Sequence, residues 1–142
     1  MIVIDVNLLI YAHNSRSDEQ AAAKEWLEQA LSDAEPVGFP WAAIHGFLRL
    51  TTGRVVLPHP LDMSTATSIV DDWLSAPNAR IIEPGPRYWT IFRQFLTNAH
   101  VTGKHVSDAH LAAVTFEHDA TFYTADRDFR RFTGLRVINP LA

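Results

Sequence analysis

Two periods of apolar residues alternate along this chain. Ile2, Val3 and Ile4 form a short β-branched run ending at Asp5, and Leu8, Leu9, Ile10 and Tyr11 follow at helical density. A buried strand is therefore predicted to run straight into a helix, with Asp5 at the strand's carboxyl end. After a polar stretch over residues 13–17, Asp18 is a candidate cap for a second helix with apolar positions Ala22, Trp26, Leu27, Ala30 and Leu31. The prolines at 36 and 40 read as an interruption of that helix. Residues 41–52 show helical spacing again through Ile44, Phe47, Leu48 and Leu50, and the prolines at 58 and 60 make residues 53–60 a loop.

Ser64 is expected to begin a further helix through Ile69, Val70, Trp73 and Leu74, stopping before Pro77. Ile81 and Ile82 read as a brief strand, closed by Pro84-Gly85-Pro86. Residues 88–99 place Trp89, Phe92, Phe95 and Leu96 on one helical face, and Ser107 is a candidate cap for a helix that carries Asp108 in its first turn. A strand is expected at residues 121–124, followed by Asp126 and Asp128, with an edge strand at 135–138. Short strands alternating with helices predict an α/β fold with a parallel sheet covered on both faces. Ligands of such folds collect at the carboxyl ends of the strands, where Asp5 and Asp126 both fall.

Composition narrows the class. The chain has 142 residues, 47% hydrophobic and 20% charged, with no internal repeat, so residues 1–142 read as a single domain. The absence of cysteine removes thiol catalysis and Cys-ligated metals. No secretory signal or bilayer-spanning run is visible, so a soluble, cytoplasmic protein with no membrane association is expected. A net charge of −4 means that any nucleic-acid contact must come from a local basic surface, such as Arg127, Arg130, Arg131 and Arg136.

Clustered aspartates repel one another unless a hard cation neutralises them, and carboxylates with water and phosphate are a common magnesium shell. Each aspartate also has an ordinary alternative: Asp5 as a helix cap, Asp108 as a first-turn partner of the helix dipole, Asp126 as a turn residue. His105 and His110 flank Asp108 and invite a reading as an acid–base pair or zinc ligands, but a third ligand of a zinc spacing is absent. Trp26, Trp41, Trp73 and Trp89 suit either base stacking or a packed core or interface. A phosphatase with Asp5 as nucleophile would want a second aspartate where Asn7 stands. A receiver domain also gathers acids at strand ends, but this sequence shows no central phospho-acceptor strand with its aspartate.

Three segments decide between these readings: Ile4-Asp5-Val6-Asn7-Leu8-Leu9, Val106-Ser107-Asp108-Ala109-His110-Leu111-Ala112-Ala113 and Tyr123-Thr124-Ala125-Asp126-Arg127-Asp128-Phe129. In order and spacing they resemble the best-marked motifs of PIN domains, especially the VapC-type toxins of bacterial toxin–antitoxin pairs. The resemblance extends through residues 47–52, the turn at 83–86 and the closing stretch 132–140. It implies a three-layer α/β/α domain around a parallel sheet, and an endoribonuclease using Mg2+ or Mn2+. On this resemblance Asp5, Asp108 and Asp126 are the metal acids and Asp128 an auxiliary acid, with Asn7, Ser107 and Thr124 orienting the carboxylates or bound water. It also implies a small antitoxin partner and a homodimer. Candidate RNA contacts are Arg49, Arg54, Lys104, Arg127, Arg130 and Arg131. One position departs from the pattern: Gly46, preceded by His45, stands where many PIN domains carry a glutamate. That departure keeps open a PIN-fold module that binds RNA or protein with weakened catalysis.

Overall fold

The computed structural model describes residues 1–14, 19–54, 57 and 59–142. Strand β1 (Ile2–Ile4) leads through Asp5 into α1 (Val6–Tyr11), followed by α2 (Gln20–Ala30), β2 (Val37–Pro40), α3 (Trp41–Thr52) and α4 (Met63–Leu74). The chain continues through β3 (Ala79–Ile82), α5 (Tyr88–Asn98), a 3-10 turn (Gly103–His105) and α6 (Val106–Glu117). It closes with β4 (Thr121–Tyr123), a second 3-10 turn (Arg127–Arg131) and β5 (Arg136–Ile138). All five strands are parallel, in the order β3-β2-β1-β4-β5.

Pleat alternation divides the core into two layers, one on each side of the sheet. Ile2 and Ile4 of β1 join Val37 and Phe39 of β2 against α1 to α4, where Phe47 and Trp73 are buried. Val3, one position out of phase, joins Phe122 of β4 against α5 and α6, with Phe95, Phe129 and Phe132. This is the expected three-layer α/β/α arrangement, and its central strands β1 and β2 are buried on both faces because both are covered. No helix of the described residues is long and apolar enough to cross a membrane.

Three expectations from the pattern are corrected, and a fourth lies outside the described residues. Residues 37–40 are no mere interruption but the fully buried strand β2, between β1 and β3. Its prolines are tolerated because they stand at its margins: Pro36 contributes only a carbonyl, to the Ile2 amide at 2.8 Å, and Pro40 ends the strand as the residue before α3. Gly38 suits the close packing, since a Cβ there would lie 2.9 Å from Met1 Sδ and 3.1 Å from Ile82 Cδ1, and both side chains would have to shift. Helix α4 starts at Met63, not Ser64, because Asp62 Oδ1 accepts from the Thr65 amide at 2.7 Å. Ser107 is inside the first turn of α6, whose start is set by the preceding 3-10 turn with His105 in the cap position. The proposed cap Asp18 lies outside the described residues.

Candidate metal and nucleic-acid site

The chain builds β1, β2 and β3 outward in one direction, then returns to place β4 and β5 on the other side of β1. A topological switch therefore opens between β1 and β4, where α/β sheets form their ligand crevices. Ile4 pairs with Tyr123, so the next residues in register, Asp5 and Thr124, face each other across the switch. The Asp5 amide donates to the Tyr123 carbonyl at 2.9 Å, extending the ladder one step beyond the strands.

Thr124 joins two of the aspartates. Its buried hydroxyl donates to Asp5 Oδ2 at 2.6 Å and accepts from the Asp126 amide at 2.9 Å. Asp126 Oδ1 in turn accepts from the Asp128 amide at 2.9 Å, which starts the 3-10 turn and leaves the Asp128 side chain exposed.

Asp5 is only 5% exposed. Burial pushes its carboxyl up from 3.8 to about 6, and the negative charges of Asp108 and Asp126 push the same way, against the Thr124 hydroxyl and the Asn7 amide. The Asn7 amide lies near enough to favour the anion without making a capping hydrogen bond, and the Asn7 side chain is exposed. Tyr11, one helical turn beyond Asn7, also feels this field: burial raises its phenol first, then Glu19, Asp5 and Asp126. The i, i+4 spacing from Asn7 is the sequence signal that would have placed Tyr11 beside the acids.

Asp108 arrives on the first turn of α6 with its side chain 32% exposed, and its Oδ2 lies 3.1 Å from His105 Nδ1. Ser107 is exposed beside it. His110 faces away toward α5, where its Nδ1 is 2.6 Å from the Tyr88 hydroxyl, and burial lowers its basicity. The two imidazoles thus have separate partners and do not form a zinc pair.

Among the described residues no three His, Asp or Glu side chains stand together as a ready metal-holding group. Asp108 and Asp126 nevertheless lie close enough for their charges to act on Asp5. Their chemistry suits a hard divalent cation: all donors are oxygen, and the most buried carboxyl resists ionisation partly because two neighbouring anions oppose it.

The basic candidates differ in availability. Arg127 and Arg130 are exposed and line a cavity of about 100 Å3 with Thr124, Asp126 and Asn139. Arg49, Arg54 and Lys104 are exposed. Arg131 is half-buried and donates to the Ala99 carbonyl at 3.1 Å, so it anchors the turn to α5. Gly46 faces α1, where an added Cβ would lie 3.3 Å from Val6 Cγ2, and His45 beside it points outward. The close approach of α3 to α1 is a structural reason for a small residue at 46.

The sequence of residues 2–135 matches the model of the PIN domain family. This chain belongs to the PIN-domain family. It is 41% identical over 141 residues to Ribonuclease VapC43 of Mycobacterium tuberculosis, covering 99% of this chain and 96% of the relative. Identity to Ribonuclease VapC37 of the same organism is 40% over 142 residues, covering 100% and 99%. These relatives place this PIN domain in the VapC branch. Its fold matches a chain of VapBC2 from Rickettsia felis bound to a DNA fragment from its promoter, with TM-score 0.70, 18% identity and 98% of each chain covered.

Proposed function

We propose that this PIN domain is a ribonuclease toxin that cleaves RNA internally with Mg2+ or Mn2+. The observation that carries the reading is that burial first, and then the charges of Asp108 and Asp126, oppose the ionisation of Asp5 at the switch point beside β1, so three acids from distant parts of the chain act on one place. Asp5, Asp108 and Asp126 would hold the ion, and Asp128 is an auxiliary acid. A divalent ion bound there supplies an acidified water and positive charge against the phosphate. Thr124 fixes Asp5 and the Asp126 backbone relative to one another through a single hydroxyl. Arg127 and Arg130 flank the acids and suit the phosphates of an RNA backbone.

The VapC relatives are named ribonucleases, and the structural relative is a VapBC assembly, which supports a small antitoxin as partner of this chain. A second copy is proposed to cover the apolar surface around Trp89, which is 62% exposed at the start of α5. Light scattering of the purified protein tests the dimer.

The deciding experiment is cleavage of total RNA by purified, partner-free protein with magnesium or manganese. Cleavage should stop with EDTA, and should be lost in folded Asp5→Asn and Asp108→Asn proteins. Equal cleavage by wild type and both variants would trace the activity to a contaminant and sink the proposal. A second reading, a PIN module that holds RNA or protein without cutting, rests on Gly46 and on acids that are not gathered into a ready group. It predicts RNA binding without cleavage in either metal.

A further inference from the structure

Four tryptophans punctuate this chain, and three have an aromatic partner. Trp26 stacks on Tyr123 at 5.3 Å, Trp73 stacks on Phe39 at 5.7 Å, and Trp89 meets Phe92 edge-on at 6.1 Å. Trp41 is 44% exposed and has no ring or hydrogen-bond partner among the described residues. Its flat face is therefore open, and a planar group brought alongside could stack on it.

Its position suggests what does. The β1–β2 register pairs Val3 with Gly38, so by continuation Asp5 is level with Pro40, one strand away. Trp41 is the next residue, at the same carboxyl edge as the acids. Helix α3 then presents His45 and Arg49 at successive four-residue steps, both exposed and without an ion-pair partner among the described residues. The three side chains form one stripe of roughly 12 Å along the helix, leading away from Asp5. A flat aromatic surface followed by an imidazole and a guanidinium suits a strand with unstacked bases and a charged backbone. A duplex keeps its base faces stacked and offers none to Trp41.

We infer that the Trp41–His45–Arg49 stripe is a track for single-stranded RNA, with a base next to the scissile phosphate stacked on Trp41 and the backbone running past His45 and Arg49. The inference rests on the ribonuclease reading and adds the residues of α3 that position the substrate. It also gives α3 a role that does not depend on the missing glutamate at 46.

The test measures binding of a fluorescein-labelled oligouridylate, alone or as a duplex with oligoadenylate, to Asp5→Asn protein in magnesium. Single-stranded RNA should bind and the duplex should bind more weakly. Adding Trp41→Ala or Trp41→Leu should weaken single-strand binding by about five- to a hundredfold, whereas Trp41→Phe should keep most of it. In wild-type background the Ala and Leu changes should slow cleavage of the single strand without altering the melting temperature. Undiminished binding and cleavage by both overturn the track while leaving the ribonuclease reading intact. A change in molecular mass with Trp41→Ala assigns the indole to a contact between protein chains, and also overturns it. Wild-type protein that cleaves no RNA in either metal is instead the failure of the ribonuclease reading; binding by the Asp5→Asn protein then still decides the track, and no binding overturns it.

Discussion

The two ends of helix α6 handle negative charge in opposite ways. At its carboxyl end Glu117 faces an unfavourable helix dipole, yet its oxygens accept from the Gly85 amide at 2.6 Å and the Arg87 amide at 2.8 Å. The Arg87 guanidinium adds a bond to the Glu117 carbonyl at 2.9 Å. At the amino end Asp108 faces Asp5, and Asp5 has one hydroxyl donor while burial and two neighbouring charges oppose its ionisation. A carboxylate that ties a loop to a helix is given amide donors. One proposed to hold a cation is left short of positive charge.

Removing the Asp5 charge gives the largest expected effect. Asp5→Asn should lower cleavage by about a thousandfold, yet stabilise the protein in EDTA. The shift of the Asp5 carboxyl from 3.8 to about 6 means that ionising it in the folded chain costs about 3 kcal/mol at neutral pH. Because the folded value lies above the unfolded one, the cost is absent below about pH 4, grows as pH rises through the window to about 6, and is constant above it. The stability advantage of Asp5→Asn should therefore shrink toward zero on acidification over that window, as read by urea unfolding. His13 and His110, whose basicity burial lowers, act in the other direction by costing stability as pH falls below 6.5. Both are shared by the two proteins and cancel in the difference. A pH-independent difference would show that Asp5 ionises freely and remove one side of the comparison.

Thr124→Val is next. It removes the donor of Asp5 and the acceptor of the Asp126 amide without changing shape. Activity or metal affinity should fall by about ten- to a hundredfold, and stability by about 1–3 kcal/mol. Isothermal titration with Mn2+ separates the two, and unchanged affinity would limit Thr124 to a packing role.

Parts of this arrangement are legible in the chain and parts are not. Residues 41–52 carry their helix in the spacing of Ile44 and Phe47, and Ile2 to Ile4 announce both the strand and the place of Asp5. Strand β2 escapes notice because three residues between prolines, one of them glycine, lack the alternation that identifies a strand; only the neighbours on both sides make them β. At the site, the positions of Asp5, Asp108 and Asp126 follow from motif order, but the hydrogen bond from Thr124 to Asp5, 119 residues away, does not. The pairing of His105 with Asp108 depends on the 3-10 turn that precedes α6, which no periodicity signals.

The other end of α6 gives the smallest effects and the cleanest control. Gly85→Ala would place a Cβ 2.7 Å from Glu117 Oε2, so the carboxylate clamp must shift and its bonds to the exposed amides loosen, at about 1 kcal/mol. Glu117→Gln keeps one oxygen for the two amides and turns an NH2 group toward the other, at about 1 kcal/mol because the group is partly solvated. Neither change touches the acids at the switch point, so cleavage per folded molecule and Mn2+ affinity should stay at wild-type values while the melting temperature falls. Loss of cleavage by Glu117→Gln at unchanged stability would mean that the clamp reaches the site through α6, and that its two ends are one device.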